Sequence, residues 1–131
     1  MNSERMTPHA YCPVAIATAG TAGDLFVVCG FAGKSKVARV DFVSDGGLTA
    51  NNSNNATFTA SVGGTTIGTM VTNVAGTGTI ADGGVASMTL TAAGANLVSE
   101  GGAVKIAVTK TGSGVAVLGQ VAVTFERVRA D

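Results

Sequence analysis

The side chains that could do chemistry are few and scattered along this chain. Its 131 residues include one histidine, His9, two cysteines and eight carboxylates, and no His-Cys or His-Ser grouping lies close in sequence. Catalysis by acid, base or nucleophile needs such groups paired, with a neighbour that tunes the pKa of each. His9 falls in the N-terminal stretch, where an exposed terminal histidine is the simpler interpretation. We therefore predict that the chain is not an enzyme.

The acidic residues at glycine turns have a structural explanation. Asp45, Asp82 and Glu100 each precede a Gly-Gly pair, and carboxylates in such places commonly accept hydrogen bonds from turn amides. No loop holds more than one carboxylate, whereas a calcium site needs several oxygen ligands. The glycine pattern at 76–81 lacks the βαβ context of a dinucleotide site. We predict no metal and no cofactor.

The two cysteines, Cys12 and Cys29, are too few for a zinc site. Cys29 ends the apolar run 26–29, which predicts burial as a small hydrophobic residue. A disulfide between the two stays open as an alternative, because a protein that leaves the cell meets oxidising conditions.

The charge distribution is unusual for a free monomer. The formal net charge is zero, and charged residues make up 12% of the chain, against roughly 25% in a typical domain. Asp82 is the only charged residue from 46 to 99. Thr, Ser and Asn could keep such a surface hydrated. We favour the alternative, in which this region is buried against neighbouring subunits, because it lacks charge-based protection against association.

Partners other than proteins are not indicated. Lys34, Lys36 and Arg39 form the densest basic group, which falls short of the clustered charge that nucleic acid binding needs. No apolar run approaches the roughly 20 residues of a membrane helix. The apolar stretch 14–19 is too short for a signal peptide and follows Pro13, so we expect intracellular synthesis.

Alternation of apolar and polar residues, typical of half-buried strands, recurs along the chain. It is clear at 38–42, 56–62, 86–90, 104–108 and 117–126. Two further runs, 25–31 and 65–71, alternate less, and the first is apolar on both faces, so we expect it to be the most buried strand. Gly119 interrupts the last run and is predicted to mark a bulge. The sequence predicts an all-β, antiparallel two-sheet sandwich of jelly-roll type over residues 24–131.

Residues 1–23 differ from the rest of the chain. They contain both prolines, the only histidine and the only tyrosine, without clean alternation, so we predict an extended N-terminal arm. The arm is either a disordered terminus or a segment that docks on a neighbour through Tyr11, Val14 and Ile16. Its apolar content favours docking, because disordered tails rarely carry so much.

A second candidate contact is the polar loop at 48–56. Asn51, Asn52 and Asn54 lie in it and could contact a partner or a glycan, although an ordinary polar loop explains them too. The predicted partner-binding residues are therefore Tyr11, Val14, Ile16, Asn51, Asn52 and Asn54.

A family resemblance rests on six runs in order along the chain. They are 40–43 (VDFV), followed by a Gly-Gly and Asn-rich loop, 55–62 (NATFTASV), 86–90 (ASMTL), 102–109 (GAVKIAVT), 111–114 (TGSG) and 121–126 (VAVTFE). With these runs, the stretch 36–128 resembles the head decoration, or cement, proteins of tailed bacteriophages that have a jelly-roll domain. The runs are patterns of packing and turns, and the N-terminal part does not share them.

The resemblance implies a structural role. The chain would be a virion protein, synthesised in the host cytoplasm, that forms a homotrimer and binds the major capsid protein on the outer surface of the phage head. It would cap threefold axes and stabilise the shell against the pressure of packaged DNA.

A different class of function is kept as the alternative. Trimeric jelly rolls also form receptor- or glycan-binding heads of phage fibres and spikes. Such a head would present clustered aromatic side chains on exposed loops, because sugars stack on aromatic faces. The chain has one Tyr and five Phe, most of them at positions predicted to face inward.

Overall fold

The computed structural model describes residues 9–16, 23–28, 34–91, 97–99 and 101–128. These residues form ten β-strands and no helix. The strands are β1 (His9–Ile16), β2 (Gly23–Val28), β3 (Lys34–Ser44), β4 (Asn55–Val62), β5 (Thr65–Val71), β6 (Val85–Ser87), β7 (Thr89–Leu90), β8 (Leu97–Ser99), β9 (Ala103–Thr111) and β10 (Val117–Arg127).

The strands form two sheets. Sheet A has the order β1-β10-β3-β6, with β8 also paired to β3, and sheet B has the order β2-β9-β4-β5-β7. Every pair is antiparallel. The prediction of an all-β fold made of antiparallel strands in two sheets is confirmed, and a sandwich is compatible with it.

The inward residues of both sheets make one apolar core. Phe42 of β3 and Phe58 of β4 meet there with ring centroids 5.1 Å apart, and the rest of the core is mainly Val, Ile and Ala. Burying each such Phe or Val is worth roughly 1.5–3 kcal/mol. The predicted alternation is confirmed in β4 and β9, where the apolar positions face this core and the polar ones face outward. In β10 it holds for Val117, Val121, Val123 and Phe125, but Thr124, expected to face outward, is buried.

The N-terminal arm predicted for residues 1–23 is not confirmed. Residues 9–16 form β1, which pairs with β10 along its whole length, from His9 opposite Thr124 to Ile16 opposite Val117. Val14 is only 2% exposed and belongs to the core. Residues 1–8 and 17–22 lie outside the described residues.

The run 25–31, expected to be the most buried strand, is placed differently. Its described part lies in β2, which pairs with β9 at one side of sheet B. Leu25 and Val27 face the core, whereas Phe26 is 59% exposed. The expectation was wrong because an apolar residue at an outward position of an edge strand has no second layer to cover it. Residues 29–31 lie outside the described residues.

The single strand predicted at 86–90 is divided between the sheets. β6 pairs with β3 in sheet A, and β7 pairs with β5 in sheet B. Met88 lies between them, buried, and its amide donates a hydrogen bond to the carbonyl oxygen of Val40 at 2.9 Å. The alternation therefore predicted the buried face correctly but not the crossing from one sheet to the other.

Gly119 does not mark the bulge that was predicted there. The register shift between β10 and β3 lies at Thr124/Phe125, and Gly119 pairs in register with Ser44. Its φ is 150°, and a Cβ at this position would collide with the carbonyl oxygen of Val43. Glycine is needed because the neighbouring backbone comes too close for any side chain.

Replacing Gly119 tests this close approach. We expect Gly119→Ala to lower the free energy of unfolding by roughly 2–4 kcal/mol, because β10 or β3 must move and the φ is strained for alanine. Urea denaturation followed by circular dichroism measures the change.

Gly23→Ala is the matched control. A Cβ on Gly23 meets nothing within 4 Å, so the free energy of unfolding should change by less than about 0.5 kcal/mol. Equal effects of the two substitutions would contradict the role assigned to Gly119.

Candidate interaction surfaces

Most charged side chains of the described residues are engaged in ion pairs within the domain. Asp41 lies 3.2 Å from Arg39, Glu126 lies 3.3 Å from Lys36, and Asp24 lies 3.5 Å from Lys105. Because these pairs are at the surface, each adds about 1 kcal/mol at most. Six of the eleven charged side chains among the described residues are paired in this way.

Asp82 has the role expected of a turn carboxylate. Its Oδ1 accepts a hydrogen bond from the amide of Gly46 at 2.8 Å, so it ties two turns together. Glu100 lies outside the described residues. Within the described ranges, no three His, Cys, Asp or Glu side chains gather where they could hold a metal ion. The described strands and loops include no helix long and apolar enough to cross a membrane.

The predicted anchors of the N-terminal segment fall on both faces of β1. Tyr11 points outward and is 63% exposed, whereas Val14 is buried in the domain's own core. The side chain of Ile16 and the partner of the proposed disulfide, Cys29, lie outside the described residues. Of the three anchors, Tyr11 is the one that the structure places at the surface.

The outer face of sheet A carries an apolar surface that extends from Tyr11 across four strands. We call it the sheet A patch and define it as Tyr11, Pro13, Val43, Val85 and Leu118. The register aligns Pro13, Gln120, Val43 and Val85 in one cross-strand row, with Ala15 and Leu118 in the next. Val85 is 59% exposed and Leu118 is 42% exposed. Although Gln120 lies within the first row, exposed apolar residues grouped in this way are typical of protein contacts.

The outer face of sheet B is different because it is covered by hydroxyl groups. One cross-strand row contains Asp24, Ala107, Thr59, Thr69 and Thr89, and the next contains Phe26, Lys105, Ser61 and Thr66. Much of the charge-poor region 46–99 therefore presents Thr and Ser, which water hydrates well. On this sheet the structure favours the neutral, hydrated surface that was the alternative to burial against neighbours.

The three asparagines of the loop 45–54 use their side-chain oxygens inside the protein. Asn51 Oδ1 accepts hydrogen bonds from the amides of Ser53 and Asn54 at 2.8 and 2.7 Å. Asn52 Oδ1 accepts one from Val74, and Asn54 Oδ1 accepts one from Ser113. These bonds join the loop to the neighbouring loops 72–84 and 112–116. The asparagines therefore have a structural role, whether or not they also contact a partner.

Four of the five patch residues were not among the predicted partner-binding residues, and Val85 and Leu118 are the two with large exposed side chains. Each is an apolar residue at an outward position, next to a residue that faces the core: Val85 precedes Ala86, and Leu118 follows Val117. The sequence signal for such a residue is an apolar side chain at a position where the alternation predicts a polar one. Their proximity could not be predicted, because it depends on which strands are neighbours.

Removing the asparagine oxygens tests their structural role. We expect Asn51→Ala to lower the free energy of unfolding by about 2 kcal/mol and Asn52→Ala by about 1 kcal/mol, because the first loses two loop hydrogen bonds and the second loses one. Urea denaturation measures both. Ser53→Ala, an exposed change in the same loop, should stay within about 0.5 kcal/mol. If Asn51→Ala matched Ser53→Ala, the asparagine side chains would not hold the loops.

The described residues thus present three distinct surfaces: the apolar sheet A patch, the hydroxyl face of sheet B and the asparagine loop. In comparisons with protein-family models, curated proteins and solved structures, no match to this chain was found.

Proposed function

We propose that this chain is a structural virion protein that decorates the head of a tailed bacteriophage. It binds the outer surface of the shell through the major capsid protein, associates with copies of itself and stabilises the particle. The observation that carries the proposal is the sheet A patch, which leaves large apolar side chains in water on a domain whose core is already complete. The sequence resemblance of 36–128 supports a phage head as the partner.

The strand order supports the jelly-roll topology that belongs to this proposal. In a jelly roll of eight strands, the first pairs with the eighth, the eighth with the third and the third with the sixth. Without the short strands β7 and β8, sheet A follows this order, and sheet B follows second, seventh, fourth, fifth.

The energetics of the patch support binding to a large partner. Covering each exposed apolar side chain is worth roughly 1 kcal/mol or more, and the flat face of a sheet can meet another flat surface over a wide area. Asp41, beside Tyr11 and Ala122 in the register, is paired with Arg39. Covering the patch therefore leaves this carboxylate with its cation, whereas Asp45, which lies beside Val43 and Leu118, would need to stay hydrated or meet a cation of the partner.

The absence of net charge is compatible with self-association. A formal net charge of zero removes the repulsion that keeps copies apart. The homotrimer is the form that the resemblance implies, and a decoration protein that joins neighbouring capsomers needs more than one contact.

The alternative, a glycan- or receptor-binding head, has less support. Phe42, Phe58 and Phe125 are buried, and the two exposed aromatic side chains among the described residues, Tyr11 and Phe26, lie on different sheets. They form no shared platform on which a sugar could stack. A reproducible hit on a glycan array would favour this alternative instead.

Val85→Asp tests the role of the sheet A patch. We expect it to weaken binding to expanded capsids that lack this protein by at least about tenfold, because a charge without a partner would be buried in the contact. Pelleting of capsids with bound protein measures the affinity, and electron microscopy of the particle locates it.

Val74→Asp is the matched control, since Val74 is 63% exposed and is not one of the patch residues. It should bind as the wild type does, and thermal melts should show both variants folded. Wild-type protein that stays monomeric at high concentration and fails to bind such capsids would refute the proposed function.

A further inference from the structure

The four outer edges of the two sheets are not equally protected. At a sheet edge, unpaired backbone amides and carbonyls can pair with another strand, and proteins commonly block this with proline, lysine or very short strands. β1 carries Pro13 near its centre, the edge beside β3 is formed by two strands of three residues, β6 and β8, and β7 has two residues. Three edges therefore have one of these protections.

β2 has none of them. It is six residues long, Gly23–Val28, contains neither proline nor lysine, and pairs with β9 along its whole length. Among the described strands, no other strand pairs with it. Its inward residues, Leu25 and Val27, pack on the core, so the strand is held in place for a partner.

Phe26 adds an apolar contact to this open edge. It lies in the middle of β2 on the outer face of sheet B and is 59% exposed, surrounded in the register by Lys105, Ser61 and Thr66. The hydroxyl-rich face gives it no apolar neighbour of its own size. A second strand added beside β2 would cover it.

We propose that β2 pairs antiparallel with β2 of a second copy of this chain, so that Phe26 of each copy lies opposite Phe26 of the other. The proposal rests on the proposed self-association and names its contact. Side chains directly opposite each other in such a pair have Cβ atoms about 4.5–5.5 Å apart, close enough for two aromatic rings to pack.

Charge favours the antiparallel orientation of a second copy over the parallel one. Asp24 is the only charged residue of β2, and Lys105 of the same chain lies 3.5 Å from it. With Phe26 on the twofold axis, each Asp24 lies opposite Val28 of the other copy, so the two carboxylates stay apart. A parallel pairing in register would place them side by side, which is unfavourable.

The contact is the same on both copies, so by itself it makes a dimer. A six-residue strand pair is smaller than a standard stable interface, and we expect a dissociation constant in the micromolar range or weaker. A homotrimer would use a different surface, and the β2 contact would then join one oligomer to the next.

Opposite charges at position 26 test the proposal. We expect Phe26→Lys and Phe26→Glu each to raise the dimer dissociation constant at least about tenfold, because like charges then face each other. An equimolar mixture of the two variants should regain dimers, since Lys now faces Glu. Analytical ultracentrifugation gives the masses, and circular dichroism checks that each variant is folded. Val74→Lys, an equally exposed site in loop 72–84, is the control and should dimerise as the wild type does.

Three outcomes would overturn the proposal: wild-type protein that forms neither a dimer nor pairs of a larger oligomer, single variants that associate like the wild type, or a mixture that associates no more than the single variants do. These are separate from the capsid-binding result for Val85→Asp. Protein that binds capsids normally but dimerises regardless of residue 26 would keep the decoration role and reject the β2 contact.

Discussion

The contact between Phe42 and Phe58 is the interaction on which the two-sheet arrangement depends. Phe42 belongs to sheet A and Phe58 to sheet B, and both side chains are almost fully buried. The chain has no tryptophan and only five phenylalanines, so Val, Ala and Ile must fill the space around this pair. Small side chains fill a core only where the two sheets lie close together. Each strand must also keep its register, because a slip of one residue would turn its buried side chains outward.

The register also determines which residues lie on the outer faces of the two sheets. Val85, Leu118 and Phe26 alternate with buried residues, so they cannot turn inward without removing part of the core. In a monomer, hydroxyl or charged residues would serve these positions better, as Thr59 and Thr69 do on sheet B. The apolar residues at outward positions are the reason for proposing that these surfaces are covered in an assembly.

The alternation in the sequence predicted strands and their buried faces well, because each residue's face depends on local geometry. The alternation did not predict which strands pair with each other. The run 86–90 alternates regularly, yet it crosses between sheets at Met88. The segment around Pro13 was interpreted as an arm, although a proline is compatible with an edge strand, which is where β1 lies. The patch residues and the open edge of β2 could not be predicted for the same reason, since long-range pairing decides both.

The position of the two proposed contacts bears on how a decoration protein could work. The sheet A patch lies on the outer face of one sheet, and β2 lies at the edge of the other. The two surfaces involve different side chains, since the patch lies on β1, β10, β3 and β6 and the proposed pairing uses the edge of β2. A protein that only coats a surface needs one contact, whereas a protein that links neighbouring capsomers must hold the shell and another copy at once. The exposed apolar residues are divided between the two sheets. This arrangement suits a protein that links capsomers, because one sheet would contact the shell and the other would contact another copy.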